Sequence, residues 1–245
     1  MAIYTTEAII IGSKNWGEAD KMLQFFSRER GKFKAVAFGC RRSKSPLAGA
    51  MQMFNVVNVS LASGERIDTV RQASLVRHFS SLESDLMAIS YASFVAELVS
   101  EIEPEGVPSE EVYDLLPSVF AATGEHNPRI VSLAAGYQLL SLAGVGFSYD
   151  KCVVCGEAIA GDALFSIDEG GAVDKKCAGD LPRLYAYPET TRQLLLTLVS
   201  LDWDSPAPFT VKRSDLTQAE TILYDDIRQM TGHELKSIKF IRQMS

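Results

Sequence analysis

Residues 31–45 read GKFKAVAFGCRRSKS, Gly31 to Ser45. The first part alternates: Lys32 and Lys34 fall on one side, Phe33, Ala35 and Ala37 on the other. That period of two predicts a strand over 32–38 with one wet face and one buried face. Arg-Glu-Arg-Gly at 28–31 is a turn signal before it. Arg41, Arg42 and Lys44 follow in a loop, and Arg28 and Arg30 stand at the strand's other end. Six or seven cations therefore surround one predicted hairpin.

Working outward, Ala8 to Ile11 and Met22 to Phe26 are short apolar runs that read as strands. Residues 39–50 read as a loop followed by one helical turn. Val57, Val59 and Leu61 alternate with Asn58 and Ser60, and Ile67 to Val76 makes a fifth strand after a turn at 62–65. Five short strands within about 80 residues predict a small closed barrel. The OB-fold is the commonest five-stranded choice and the one expected, and an SH3-like barrel also fits the pattern.

The period changes near residue 80. Met87, Tyr91, Phe94, Leu98 and Ile102 recur at helical spacing, and Pro104 and Gly106 end the run. Glu110 to Ala122 reads as a second helix. Asn127 and Pro128 open a third, with Ile130, Leu133, Tyr137 and Leu140 on its core face. The uncharged stretch Ile130 to Tyr149 contains Ser132, Gln138 and Ser141, too polar for a membrane span, and reads as a buried central helix. Residues 148–182 show little periodicity. Helices resume near Pro188; Ser214 is the expected cap of one that Gly232 stops, and a last helix runs from about Glu234 to Gln243. The expected class is α+β in two domains: a five-stranded barrel over 1–80, then an α-helical domain over 81–245 carrying a Cys-bearing insert at about 148–182.

Net charge is −7, which alone would argue against nucleic acid. Its distribution reverses the argument. Residues 1–80 hold 12 Lys and Arg against 6 Asp and Glu, a net of +6; residues 81–245 hold 12 against 25, a net of −13. A basic barrel can sit on phosphates while an acidic remainder docks proteins. Arg28, Arg30, Lys32, Lys34, Arg41, Arg42 and Lys44 are the candidate DNA contacts. About five neutralised phosphates would give a single-strand log–log salt slope near −3.5. The bland alternative is an ordinary solvated barrel face. Trp16, in the polar stretch Ser13 to Asp20, is the aromatic best placed to be exposed, although a loop Trp packed on the barrel is the plainer expectation.

Cys152 and Cys155 form a CxxC pair and Cys177 follows, with Asp174 where a second knuckle would place cysteine. Two readings stand: one structural Zn2+ on three thiolates and the Asp174 carboxylate, or a degenerate ribbon that folds without metal. No thioredoxin-like context surrounds the CxxC, and Cys40 reads as a small packing residue. Four cysteines so distributed fit a reducing compartment, and no basic-then-apolar signal segment opens the chain. His78, His126 and His233 are scattered, and no GxSxG, P-loop or HExxH occurs, so a non-catalytic role without a small-molecule substrate is expected. Arg228, Lys236, Lys239 and Arg242 with Leu235, Ile238 and Phe240 could rim an apolar groove for an acidic peptide; basic residues at a helix end are the alternative.

Taken together, the run TTEAIIIGSKNWGEADKML, the later GKFKAVAFGCRRSKSPLAGAMQMF, the CxxCG after Phe147-Ser148, the Phe165-Ser166 and Gly170-Gly171 pairs and Leu235-Lys236-Ser237 resemble the RecO family of bacterial recombination mediators. The pattern matched includes Glu18, Asp20, Gly31, Lys32, Gly39, Arg41, Arg42, Lys44 and Ser45. The resemblance covers nearly the whole length. It implies an OB-fold followed by a helical domain with a zinc-finger-like insert. It also implies binding to single- and double-stranded DNA, annealing of complementary strands, and work with RecR and the C-terminal tail of single-strand-binding protein to load RecA. A cytoplasmic, nucleoid-associated protein with no membrane partner is expected. Asp174 departs from the cysteine of zinc-bearing members. A protein–protein adaptor with an incidental basic face is the alternative function, and a zinc-dependent or thiol-redox enzyme a third.

Overall fold

The structure is a computed structural model that describes residues 2–83, 85–205 and 209–244. The chain divides into two compact units, Met1–Pro128 with Phe240–Ser245, and Arg129–Lys239. The change of period near residue 80 therefore falls inside the first unit, because the helices that follow it pack with the barrel.

In that unit, β1 (Ile3–Trp16), β2 (Asp20–Ser27), β3 (Gly31–Ala37), β4 (Val56–Ala62) and β5 (Asp68–Arg77) close in the order β1-β2-β3-β5-β4, with β4 returning to β1. The closing contact between β3 and β5 is parallel, through Ala35↔Asp68 and Val36↔Thr69, and the other pairings are antiparallel. This Greek-key order is that of the OB-fold and settles the choice against an SH3-like barrel. Phe33, Ala35 and Ala37 point inward as their spacing required, joining Ala8, Ile10, Leu23, Phe25, Val57, Val59 and Leu61 in the core. Phe25 and Phe33 are directly paired across strands and stack at 5.2 Å.

β1 is far longer than the apolar run at its centre. Its register slips between Ile10 and Gly12, a bulge at Ile11 that reverses which residues face out beyond it. Past the bulge, β1 and β2 continue as a ribbon to the turn at Gly17.

Next come α1 (Ser80–Glu83), α2 (Leu86–Ile102) and α3 (Glu110–Glu125). Asp85 and Ser109 cap the latter two by accepting from Met87 N and Val112 N. α2 packs on β1 and buries Tyr91, Phe94 and Leu98, three of the residues its periodicity nominated.

In the second unit, α4 (Pro128–Leu142) is buried continuously from Val131 to Tyr137 and receives α6 at Gly136, where a Cβ would meet Leu223 at 2.7 Å. The segment expected to be irregular holds β6 (Ala163–Ser166), β7 (Gly171–Val173) and a 3-10 turn at Lys175–Cys177, and with β8 (Leu184–Tyr187), just past it, forms a small sheet of order β7-β6-β8. Strands of three and four residues are too short to show a period. α5 (Glu189–Val199), α6 (Arg213–Thr231) and α7 (Lys236–Met244) complete the chain. Ser214 is not a cap: α6 begins one residue earlier, after Lys212, without a side-chain cap. Gly232 does stop it, at φ +74° with its N–H on the Arg228 carbonyl. Among the described residues, no helix is long and apolar enough to cross a membrane.

Candidate nucleic-acid interface

The basic loop after β3 is fixed in place by its neighbours. Asp20 accepts the Gly39 N–H at 2.6 Å, and the Arg41 N–H donates to the Ala19 carbonyl at 2.9 Å. The Arg41 guanidinium reaches the Glu18 carbonyl at 3.0 Å. The Glu-x-Asp of the β1–β2 turn and the Gly-Cys-Arg-Arg of the loop are thus halves of one construction. Successive turns (Arg42 N to Gly39 O, Ser45 N to Arg42 O, Met51 N to Leu47 O) carry the chain across the barrel's end. Cys40, Leu47, Ala50 and Met51 are buried in the barrel core. Cys40 is the packing residue expected, and burial pushes its thiol pKa up. Arg41, Arg42 and Lys44 stand outward and exposed.

The seven nominated cations do not form one patch. Arg28 is ion-paired with Glu110 at 3.3 Å and with Asp114, and lies 5.2 Å from the Tyr113 ring centre. The Lys32 ammonium donates to the Ser100 carbonyl near the C-terminal end of α2, where the helix dipole favours a cation. Burial there lowers the Lys32 pKa and raises that of neighbouring Glu103. Arg30 sits over the Tyr4 ring at 4.0 Å and stays exposed. Lys34, Arg41, Arg42 and Lys44 are exposed, and apart from Arg41's backbone contacts they keep their charged ends toward solvent.

Register places Lys34 relative to the loop. Gly12, Gln24 and Lys34 are directly opposed across β1, β2 and β3, as are Lys14, Met22 and Val36. Opposed residues share a face, and steps of two stay on it. The outer face of this three-stranded sheet therefore carries Lys14 and Lys34 and runs down to the loop holding Arg41 and Arg42. α2 covers its upper part, where Ser100 Oγ donates to Gln24 at 3.1 Å. Lys14 escaped the sequence reading because only the bulge at Ile11 puts it on this face.

In the second unit, the thiol sulfurs of Cys152, Cys155 and Cys177 lie within 4.8 Å of one another. The Asp174 backbone N–H donates to Cys152 Sγ at 3.3 Å, but its carboxylate turns away, accepting from Lys176 N at 2.9 Å to cap the 3-10 turn. Burial works to raise the Cys152 thiol, yet backbone N–H groups, that of Asp174 first, bring it down to about 7. The donor set suits a soft or borderline ion held by three thiolates, with the fourth position outside this cluster. Asp174 as a fourth ligand is thus not what the geometry offers.

Of the four cations nominated for a partner peptide, Arg228 on α6 shares an open cleft of about 590 Å³ with Arg183, Tyr185, Asp225 and Gln229. Arg183 is itself held by Asp168 through two hydrogen bonds, of 2.6 and 3.1 Å. Lys236, Lys239 and Arg242 are exposed on α7, whose Ile238 and Ile241 are buried.

Residues 1–79 match the family model described as recombination protein O N terminal, and residues 83–239 the one described as recombination protein O C terminal. The chain is 31% identical to the DNA repair protein RecO of Pelotomaculum thermopropionicum, over 98% of this chain and 94% of that protein. It is 30% identical to that of Listeria monocytogenes serovar 1/2a, over 97% and 93%. The protein of the same name from Symbiobacterium thermophilum is 36% identical over 74% of this chain and 73% of its own length.

Proposed function

The chain belongs to the recombination protein O family of DNA repair proteins, and on that premise we propose that it is a non-catalytic mediator holding single- and double-stranded DNA on its barrel. The observation that carries this reading is the exposed set Lys34, Arg41, Arg42 and Lys44, three of them on a loop braced against the β1–β2 turn. Forked guanidiniums and point-charge ammoniums along a track suit phosphate oxygens without base readout. Neutralising phosphates on two strands lowers their mutual repulsion, so complements can approach and anneal with no bond chemistry from the protein. The barrel of residues 1–80 holds DNA. The acidic remainder, residues 81–245, stays off phosphate and docks RecR and the C-terminal tail of single-strand-binding protein on the path to RecA loading. Such a protein works in the cytoplasm, at the nucleoid.

Contacts by Lys34, Arg41, Arg42 and Lys44 alone, in place of the about five phosphates first expected, predict a single-strand salt slope near −2.8, at ~0.7 per phosphate. Arg41→Ala with Arg42→Ala should flatten that slope by about 1.4 and weaken binding alike across sequences. Arg28→Ala should leave the slope unchanged, since its charge is already matched by Glu110 and Asp114. Fluorescence anisotropy across salt reads all three. A wild-type protein with no slope and no useful affinity would favour the protein-adaptor reading.

The thiol cluster holds at most one structural Zn2+, through Cys152, Cys155 and Cys177. Asp174→Ala should then leave the zinc content of purified protein unchanged, whereas Cys155→Ser should abolish it. Elemental analysis decides, and zinc lost on Asp174→Ala would return the carboxylate to the ligand set.

A further inference from the structure

Two large aromatic side chains stand in water beside the basic loop. Trp16 is 49% exposed and Phe38 57% exposed. Neither packs on the barrel as a loop aromatic would, and the strand register explains why. Trp16 is directly opposite Asp20 across β1 and β2. The β2–β3 register ends at Lys21↔Ala37, and Phe38 follows in the turn, next to Gly39, whose N–H donates to Asp20. Opposed residues share a face, so Trp16 and Asp20 emerge together at the end of the outer sheet face, with exposed Phe38 beside them at the start of the basic loop. Lys14 and Lys34 lie on the same face further up the strands. With neighbouring strands ~4.8 Å apart, the backbones carrying the two side chains are about 10 Å from each other.

Charge orders what can lie there. The Asp20 carboxylate, opposite Trp16 and tied to the N–H of Gly39 next to Phe38, repels phosphate. Arg41, Arg42 and Lys44 attract it at the neighbouring loop. A polyanion crossing this surface is thereby oriented, with its backbone on the loop and its other edge over the rings. The ligand that presents flat apolar faces on that edge is a nucleic-acid strand with unstacked bases. A duplex hides those faces in its stack.

We infer that Trp16 and Phe38 are stacking platforms for the bases of single-stranded nucleic acid, so that the interface favours unstacked strands over duplex. This rests on the phosphate-binding reading proposed above and adds to it the class of strand preferred.

The test uses full-length protein in a Trp203→Phe background, which leaves Trp16 as the one indole of the two in the chain. Oligo(dT) should quench its fluorescence on binding, and a duplex of equal length should not. Trp16→Ala and Phe38→Ala should each lower oligo(dT) affinity roughly 5- to 100-fold, leaving the salt slope and the duplex affinity unchanged. Trp16→Phe should restore most of the loss. Both side chains are exposed, so thermal melting should confirm intact folding of the variants. Salt-dependent oligo(dT) binding with no quenching and no loss in either alanine variant would overturn the stacking role while sparing the phosphate site. Absence of binding by the wild type would overturn both.

Discussion

Gly31→Ala should destabilise the barrel unit by about 3–5 kcal/mol, well beyond an ordinary glycine substitution. Gly31 opens β3 at φ +59°, where an L side chain costs roughly 1–2 kcal/mol. The larger part comes from a contact that the sequence does not advertise. A Cβ here would lie 1.8 Å from the Val107 carbonyl oxygen and 2.4 Å from its carbon. These are backbone atoms, and they are held. Gly106 N donates to the Lys32 carbonyl at 2.8 Å, and Ser109 caps α3 two residues after Val107. Relieving the clash would pull that segment off β3, lose its hydrogen bond at about 1 kcal/mol, and loosen the Lys32–Ser100 tie beside it. Gly17 supplies the control. It has nearly the same backbone, φ +58°, and an added methyl there would find nothing within 4 Å, so Gly17→Ala should cost only the conformational ~1–2 kcal/mol. Urea denaturation of the two variants separates the terms; equal losses would remove the Val107 contact from the account.

Asp226→Asn should do the opposite in the second unit, raising stability above neutral pH by up to roughly 4 kcal/mol. Asp226 is 6% exposed, and its Oδ2 has no hydrogen-bond partner among the described residues. The nearby Tyr149 hydroxyl is likewise unpartnered, and Tyr137 donates instead to the Ala219 carbonyl. Burial without a compensating cation pushes the carboxyl pKa up to about 7. The folded chain therefore keeps a proton that the unfolded chain releases near 3.9. Stability from this group is full below about pH 4, declines as pH rises towards 7, and stays lost above that. About three pKa units correspond to ~4 kcal/mol. Asparagine has no proton to lose, so the variant should match wild type near pH 4 and exceed it at pH 8. Urea midpoints at the two values test this, and a gain of equal size at both would mean packing rather than ionisation.

Much of this protein was legible before its fold was known. Alternation at Phe33, Ala35 and Ala37 set the inward face of β3, because side chains on a strand must alternate. The spacing of Tyr91, Phe94 and Leu98 set the buried stripe of α2, and Gly232 ended α6. The charge split between residues 1–80 and 81–245 located the basic surface, and motifs spread along the chain located the family. Short strands such as β7, with three residues, left no period to read.

What the sequence by itself could not decide is which charged groups remain available. Arg28, Lys32 and Arg42 look alike in a list of cations. Arg28 is matched by Glu110 and Asp114, 82 and 86 residues on, and Lys32 by a carbonyl 68 residues on, whereas Arg42 stands exposed on its loop. Asp174 likewise looks like a ligand by spacing and is a cap by conformation. Local periodicity determines the face on which a side chain emerges, because backbone geometry is local. Whatever comes to rest over that face arrives from distant parts of the chain, so tertiary packing alone chose which charges were tied down and which were left to solvent.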